Sequence, residues 1–293
     1  MAPVGCALAI LWGDNLDMHF NHPATKYALS RSDHETQHLQ ERALLWNPST
    51  RQLFENAGIV QGMRVLDLGS GAGDVALLAA DMVGPQGSVL GIDLDSAILE
   101  TARARVSAAG YRSVVFRSGD VRDIDLGHDF DAVVGRLVLQ YVSDPVAVLA
   151  AANRHLGRGG IAAFQEADWT IPVRAVPPCA LLDRVSGWIR EAFDRSGSDI
   201  QMGAKLRRIF LSAGFPEPKL HANTFLGGGA EWVGYRHMAG LVRSLLPLIE
   251  AEGIAHPEEV AVETLADRLR DQTLSGDGVV FYTTLVSAWV QKD

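Results

Sequence analysis

Val65-Leu66-Asp67-Leu68-Gly69-Ser70-Gly71-Ala72-Gly73-Asp74 runs from an apolar strand pattern through three alternating glycines into a helical pattern. Glycine tolerates φ > 0 and lets a ligand lie against the backbone where a Cβ would collide. The segment therefore reads as a strand, a ligand shelf and a helix start. A glycine triplet alone specifies little, and the chain on either side supplies the rest.

Downstream, short apolar runs alternate with helical stretches, the pattern of a parallel sheet covered on both faces. Strands are predicted at 64–68, 88–93, 114–118, 130–135 and 160–166, with helices near 74–83, 96–109 and 144–155 between them. Right-handed crossovers then give a doubly wound α/β core. Helical spacing returns over 181–192 and 203–213, a strand is predicted at 219–225, helical patterns fill 230–274, and a last strand covers 279–290. Upstream, Ser32 and Glu35 form a capping box for a helix over 33–46, and Pro48 opens a second helix over 49–57. The expected organisation is an N-terminal helical cap over 1–60 and one domain over 61–293. Helical insertions at about 168–214 and 230–274 interrupt that domain.

Three carboxylates sharpen the reading. Asp93 ends the second strand, where a carboxylate can accept both hydrogen bonds of a ribose diol, so a nucleoside is implied. Asp95 or Ser96 is available to cap the following helix in its place. Asp120 ends the third strand, placed to accept an adenine amino group while Leu94 and Val121 enclose the ring. Asp74 opens the helix after the glycines, where a dinucleotide's pyrophosphate would sit on the positive helix end and be repelled. That position favours S-adenosylmethionine, which has no phosphate, over NAD.

The succession Val65-Leu-Asp-Leu-Gly-Ser-Gly-Ala-Gly73, Gly91-Ile-Asp93, Gly119-Asp-Val121, Phe130-Asp-Ala-Val-Val134 and Leu156-Gly-Arg-Gly-Gly160 resembles the seven-stranded, Rossmann-like (class I) S-adenosylmethionine-dependent methyltransferases over about 60–166. The order of five motifs carries the resemblance. It implies a mostly parallel seven-stranded sheet with an antiparallel last strand. It also implies that Asp67, Gly69, Gly71 and Gly73 line the methionine and ribose, Asp93 and Leu94 the ribose and adenine, Asp120 and Val121 the adenine, and Arg136 the cofactor edge after strand four. Tyr27 is placed to close over the methionine carboxylate or to pack ahead of the cap. The family's usual proline before the fifth-strand glycines is Arg158 here, a change in a surface turn.

The resemblance further implies methyl transfer to a small acceptor, for which the protein must hold a nucleophile in line with the S–methyl bond. Glu166, at the carboxyl end of strand five, is the candidate general base; bonding to backbone amides is the alternative. His221 and His237 are rival bases for a hydroxyl acceptor. Trp169, His221, Trp232 and Tyr235 are the candidate acceptor contacts, and the aromatic residues of the insertions suggest a hydrophobic metabolite, with carbon favoured over oxygen or nitrogen as the methylated atom. Alternatives are a methyltransferase-like protein catalysing a non-methylating reaction such as cyclisation, and an NAD-dependent oxidoreductase.

Composition narrows the classes. The chain has 293 residues, 47% hydrophobic, with a net charge of −9, which opposes nucleic-acid binding. No run reaches the roughly 20 apolar residues of a membrane span, so the expectation is a cytoplasmic monomer or homodimer of secondary metabolism with a small-molecule partner and no membrane partner. Cys6 and Cys179 lack metal-ligand spacing, and no metal is expected.

Overall fold

A computed structural model describes residues 33–293 except 125 and 128; Tyr27 and the Ser32 cap lie outside that range. The first element among the described residues is α1 (Asp33–Ala57). The chain then alternates through β1 (Arg64–Leu68), α2 (Asp74–Val83), β2 (Ser88–Asp93), α3 (Ser96–Ala108), β3 (Val114–Ser118), β4 (Phe130–Arg136), α4 (Pro145–His155) and β5 (Leu156–Asp168). Beyond it come β6 (Arg174–Val176), α5 (Ala180–Arg195), α6 (Met202–Ser212), β7 (Lys219–Gly227), α7 (Gly234–Ala251), α8 (Pro257–Val260), α9 (Leu265–Ser275) and β8 (Val279–Gln291). No described helix is long and apolar enough to cross a membrane.

The strands form one sheet in the order β3-β2-β1-β4-β5-β8, with β7 on the far edge of β8. β1 to β5 pair in parallel, and β8 runs antiparallel to both β5 and β7. This is the expected doubly wound sheet with its antiparallel last strand. The sequence pattern missed one strand, β6. Its three residues pair with Phe281, Val280 and Val279 of β8, along the edge that β5 occupies further on. A three-residue strand has no periodicity to detect.

Period-two alternation sorts the strand side chains onto two faces. Val65, Val89, Ala132, Val134 and Ile161 pack under α1, α2 and α3. Leu66, Leu68, Val133, Ala162 and Phe164 pack under α4 and α6. The second face places α6 directly on the sheet, although the sequence reading put it inside the 168–214 insertion. A third apolar cluster joins Leu45 and Trp46 of α1 to Trp169, α5, α7, α9 and Tyr282. The N-terminal helix and both helical insertions thus share one core beside the sheet.

The two helices predicted on either side of Pro48 are one. The buried residues Glu41, Arg42, Leu45, Trp46, Ser49, Thr50, Leu53 and Phe54 keep helical phase across the proline. Proline removes the hydrogen bond to residue i−4 and crowds that residue's carbonyl. That residue is Leu44, whose 68% exposure puts it on the solvent side.

Gly91 shows how tightly β1, β2 and β3 are fitted. A Cβ there would lie 2.5 Å from Phe116 Cδ1 and 2.9 Å from Ser70 Cβ. Gly91→Ala is therefore expected to lower unfolding free energy by about 1–3 kcal/mol through overpacking. Urea denaturation checks this, and an unchanged midpoint would show that Phe116 yields freely.

Candidate functional site

At the carboxyl edge of β1 the backbone turns through Gly69 (φ 60), Gly71 (φ 48) and Gly73 (φ 86), all left-handed. Ser70 N–H donates to the Ile92 carbonyl (3.0 Å) and Gly73 N–H to the Ser70 carbonyl (2.8 Å), fixing the loop to β2. A Cβ at Gly69 would meet Val138 Cγ2 at 2.5 Å. Glycine is required there by both conformation and space.

Asp93 accepts from Gly71 N–H (2.9 Å) on one oxygen and from Asp95 N–H (3.0 Å) on the other. Asp95, not Asp93, caps α3, through Ala97 N–H at 2.8 Å. Each Asp93 oxygen keeps a second lone pair for a ligand hydroxyl. Beside it opens a cleft of about 70 Å³ lined by Leu68, Gly69, Asp93, Leu94, Val121 and Val138, with Asp120 and Arg122 at its polar side. Five residues predicted separately, Gly69, Asp93, Leu94, Asp120 and Val121, therefore meet around one recess. Leu94 is 54% exposed, an apolar wall facing outward.

Asp120 carries a partner that the sequence reading did not foresee. Arg122 grips it through Nε (2.9 and 3.0 Å) and its backbone N–H (2.8 Å), and these bonds hold its carboxyl below the usual range.

Asp67 differs from both. Its side chain is fully buried and neither oxygen makes a hydrogen bond of normal geometry. Burial pushes its carboxyl well up, Arg136 and the Ala76 amide pull against that, and Asp93 and Asp74 add to it. A buried acceptor left unpaired is costly. Beside a glycine shelf, it is the group that a bound cation would satisfy. The methionine ammonium of S-adenosylmethionine fits that requirement, and the recess with Asp93 fits its adenosine.

Asp74 is not the bare repulsive charge inferred from sequence. Burial pushes its carboxyl up, but Arg42 (3.7 Å), Arg105 (2.7 Å) and Arg136 (3.8 Å) together hold it below the usual range. Its weight against a pyrophosphate is reduced accordingly. Arg136, expected at the cofactor edge, reaches the shelf through Asp74 and does not line the recess. Its Nη1 donates to Asn47 Oδ1 (3.0 Å) and Thr50 Oγ1 (2.9 Å), and burial pushes its guanidinium down to about 10. Arg42 was missed, although it stands one turn before Trp46 on the buried stripe of α1, where a charge is a signal of its own.

Glu166 is also fully buried. It faces backbone: Oε1 accepts from Val138 N–H (2.9 Å) and Leu139 N–H (2.8 Å), and Oε2 from Gln140 N–H (3.4 Å). Burial pushes its carboxyl up to about 7 against these three amides. With its oxygens turned into the strand-four turn, it holds structure and is poorly placed to take a proton from an acceptor.

Over the carboxyl ends of β4 and β5 lies an aromatic layer. β8 runs antiparallel, with Thr284 opposite Asp168, so its earlier residues project past the end of β5. Tyr282 there bonds His237 Nδ1 at 2.8 Å. His237 lies 4.9 Å from the Trp46 ring, and Trp232 stands edge-on to Tyr235 (4.9 Å) and Tyr282 (6.2 Å). The guanidinium of Arg136 sits 5.8 Å over Trp46, linking the layer to the shelf. Trp169 packs on Phe193 at 5.0 Å, within the same core. Trp232 and Tyr235, candidate acceptor contacts by sequence, thus lie in this layer. His221 does not: it is exposed on edge strand β7, opposite Ser287 and level with Gln165.

Strand order, glycine shelf and carboxyl-edge recess define a doubly wound α/β protein shaped to hold a nucleoside. A methyltransferase domain family matches residues 59–201. A 2-phytyl-1,4-naphtoquinone methyltransferase of Synechococcus elongatus is 31% identical over 177 residues, covering 54% of this chain and 73% of that protein. The aklanonic acid methyltransferase DauC of a Streptomyces species is 34% identical over 120 residues, 41% of this chain and 54% of that protein. The YcgJ protein of Bacillus subtilis shares the fold, with a TM-score of 0.54 at 18% identity over 84% of this chain and 98% of its own. The chain belongs to the S-adenosylmethionine-dependent methyltransferases. It spans only 44% and 54% of two of the curated relatives it matches.

Proposed function

We propose that this protein transfers the methyl group of S-adenosylmethionine to a small, flat, hydrophobic acceptor, with carbon as the methylated atom. The observation that carries the transfer reading is the fully buried carboxyl of Asp67, with no hydrogen bond of normal geometry, beside the glycine shelf and the Asp93 recess. When bound, S-adenosylmethionine supplies an electrophilic methyl on a sulfonium. Asp93 binds the ribose, Leu94 and Val121 enclose the adenine, Asp67 takes the ammonium, and α1 closes the shelf through Arg42 and through Asn47 and Thr50, which hold Arg136 of β4. The aromatic layer of Trp46, Trp232, Tyr235 and Tyr282 excludes water and offers ring faces to an apolar acceptor. Relatives named for a naphthoquinone and for aklanonic acid accord with an acceptor of that shape. The preference for carbon rests on the ring faces of the layer, which can stabilise the transient cation that methylation leaves on an acceptor carbon.

The test is incubation with methyl-labelled S-adenosylmethionine and a panel of naphthoquinols, phenols and aromatic amines, read by mass spectrometry. S-adenosylhomocysteine is expected to accumulate in proportion to a carbon-methylated product. Label confined to oxygen or nitrogen removes the carbon preference, and S-adenosylmethionine consumption without methylated product would favour the cyclisation reading.

A further inference from the structure

The geometry points to Glu166 as a positioning residue for cofactor recognition: from the end of β5 it clamps the turn after β4, and that turn sets the floor of the adenine recess. The turn runs into a short 3-10 helix, Leu139–Tyr141, in which Tyr141 N–H donates to the Val138 carbonyl (3.1 Å). Leu137 takes φ 56, a left-handed conformation that an L side chain adopts at a cost, and its own N–H donates back to the Gln165 carbonyl (2.9 Å). The next three N–H groups in sequence converge on the one carboxylate. An anion held by successive amides is the arrangement by which loops are fixed around a charge.

What the turn presents joins the two halves of the site. Val138 and Val142 line the recess with Gly69, Leu94 and Val121, and Val138 lies against Gly69 with no space for a Cβ between them. Tyr141, on the same turn, is buried in the core shared with Trp46, Trp169 and Tyr282. The Gln140 carbonyl accepts from Asp199 N–H at 2.8 Å, tying the turn to the segment before α6. A shift of the turn therefore moves the recess floor and the acceptor-side core together.

Ionisation matters to such a clamp because a protonated carboxyl offers fewer acceptor lone pairs to three donors. The titratable group facing Glu166 from the turn is the Tyr141 phenol, itself raised by burial, and the groups that set the Glu166 carboxyl are burial and the three amides. The clamp should thus tighten as pH rises through about 7.

The cofactor part of this inference rests on the methyltransferase reading, whereas the clamp does not, so two measurements separate them. The first is hydrogen exchange in the ligand-free protein. In Glu166→Gln, amides 138–140 are expected to exchange at least tenfold faster than in the wild type, with β1 amides unchanged. In the wild type, their protection relative to β1, corrected for intrinsic rates, should fall from pH 8.5 to pH 6, which keeps the test open if the variant folds poorly. The second is calorimetric binding of 5′-methylthioadenosine, which lacks the methionine that Asp67 would hold. Glu166→Gln should bind it about tenfold more weakly at pH 8.5, and the gap should close toward pH 6. Equal exchange in both proteins, or a pH-independent affinity ratio, overturns the clamp. Normal exchange behaviour without binding by the wild type overturns the cofactor reading alone.

Discussion

Asp93→Ala is expected to weaken S-adenosylmethionine binding by on the order of 100- to 10,000-fold, the largest effect of any single substitution in the recess. Two contributions add. The carboxylate loses its hydrogen bonds to a ribose diol, each charge-assisted and worth roughly 1.5–3 kcal/mol in a buried setting. The protein also loses the bond from Gly71 N–H at 2.9 Å, which holds the middle of the glycine shelf to β2. Burial at 5% exposure keeps water from replacing either. Isothermal calorimetry with S-adenosylmethionine and S-adenosylhomocysteine reads the loss directly. Affinity within threefold of the wild type would place the ribose elsewhere and remove the nucleoside assignment of the recess. Asp93→Asn is the useful companion, since it retains an acceptor for Gly71 N–H and isolates the contribution of charge.

The strands that position Asp93 and Asp67 were legible because each obeys a local rule. β1, β2 and β3 are short apolar runs ended by glycine or a helix cap, and their predicted bounds match residue for residue. Asp93 was readable for the same reason, a carboxylate at a strand's carboxyl end. Partners escaped the reading because they are set by the tertiary fold. Nothing near Asp74 in sequence announces Arg42 from α1 or Arg136 from β4, so its charge was taken at face value. Glu166 was correctly placed at the end of β5, but only the left-handed Leu137 turn folding back on it reveals that its oxygens are spent on backbone. Pro48 misled in the other direction: as a local rule it breaks a helix, yet the continuous buried stripe on either side outweighs one lost hydrogen bond on the exposed face.

Asp67 provides the second large effect, with opposite signs for binding and stability. In the ligand-free protein its carboxylate is fully buried without a normal hydrogen bond, and its acidity is weakened chiefly by that burial. A carboxyl whose folded pKa lies above its unfolded value of about 3.9 binds more protons in the folded state between the two values. Its contribution to stability is therefore greatest below about pH 4 and declines as pH rises through the folded value. Asp67→Asn removes the ionisable group, so stability at neutral pH should increase relative to wild type and lose that part of its pH dependence. Thermal denaturation across pH 4–8 measures both. For the same substitution, S-adenosylmethionine affinity should fall on the order of 10- to 100-fold, because a cationic ammonium loses its charged acceptor. The two results have one cause, a carboxyl whose ionisation burial disfavours until a cation arrives. Wild-type binding should accordingly release a proton over the pH range in which ligand-free Asp67 is protonated. The observed calorimetric enthalpy would then vary with buffer ionisation heat, and that variation should vanish in Asp67→Asn. A destabilised Asp67→Asn with unchanged affinity would mean that the carboxylate is a structural group with partners inside the fold, and the methionine would have to be held from elsewhere.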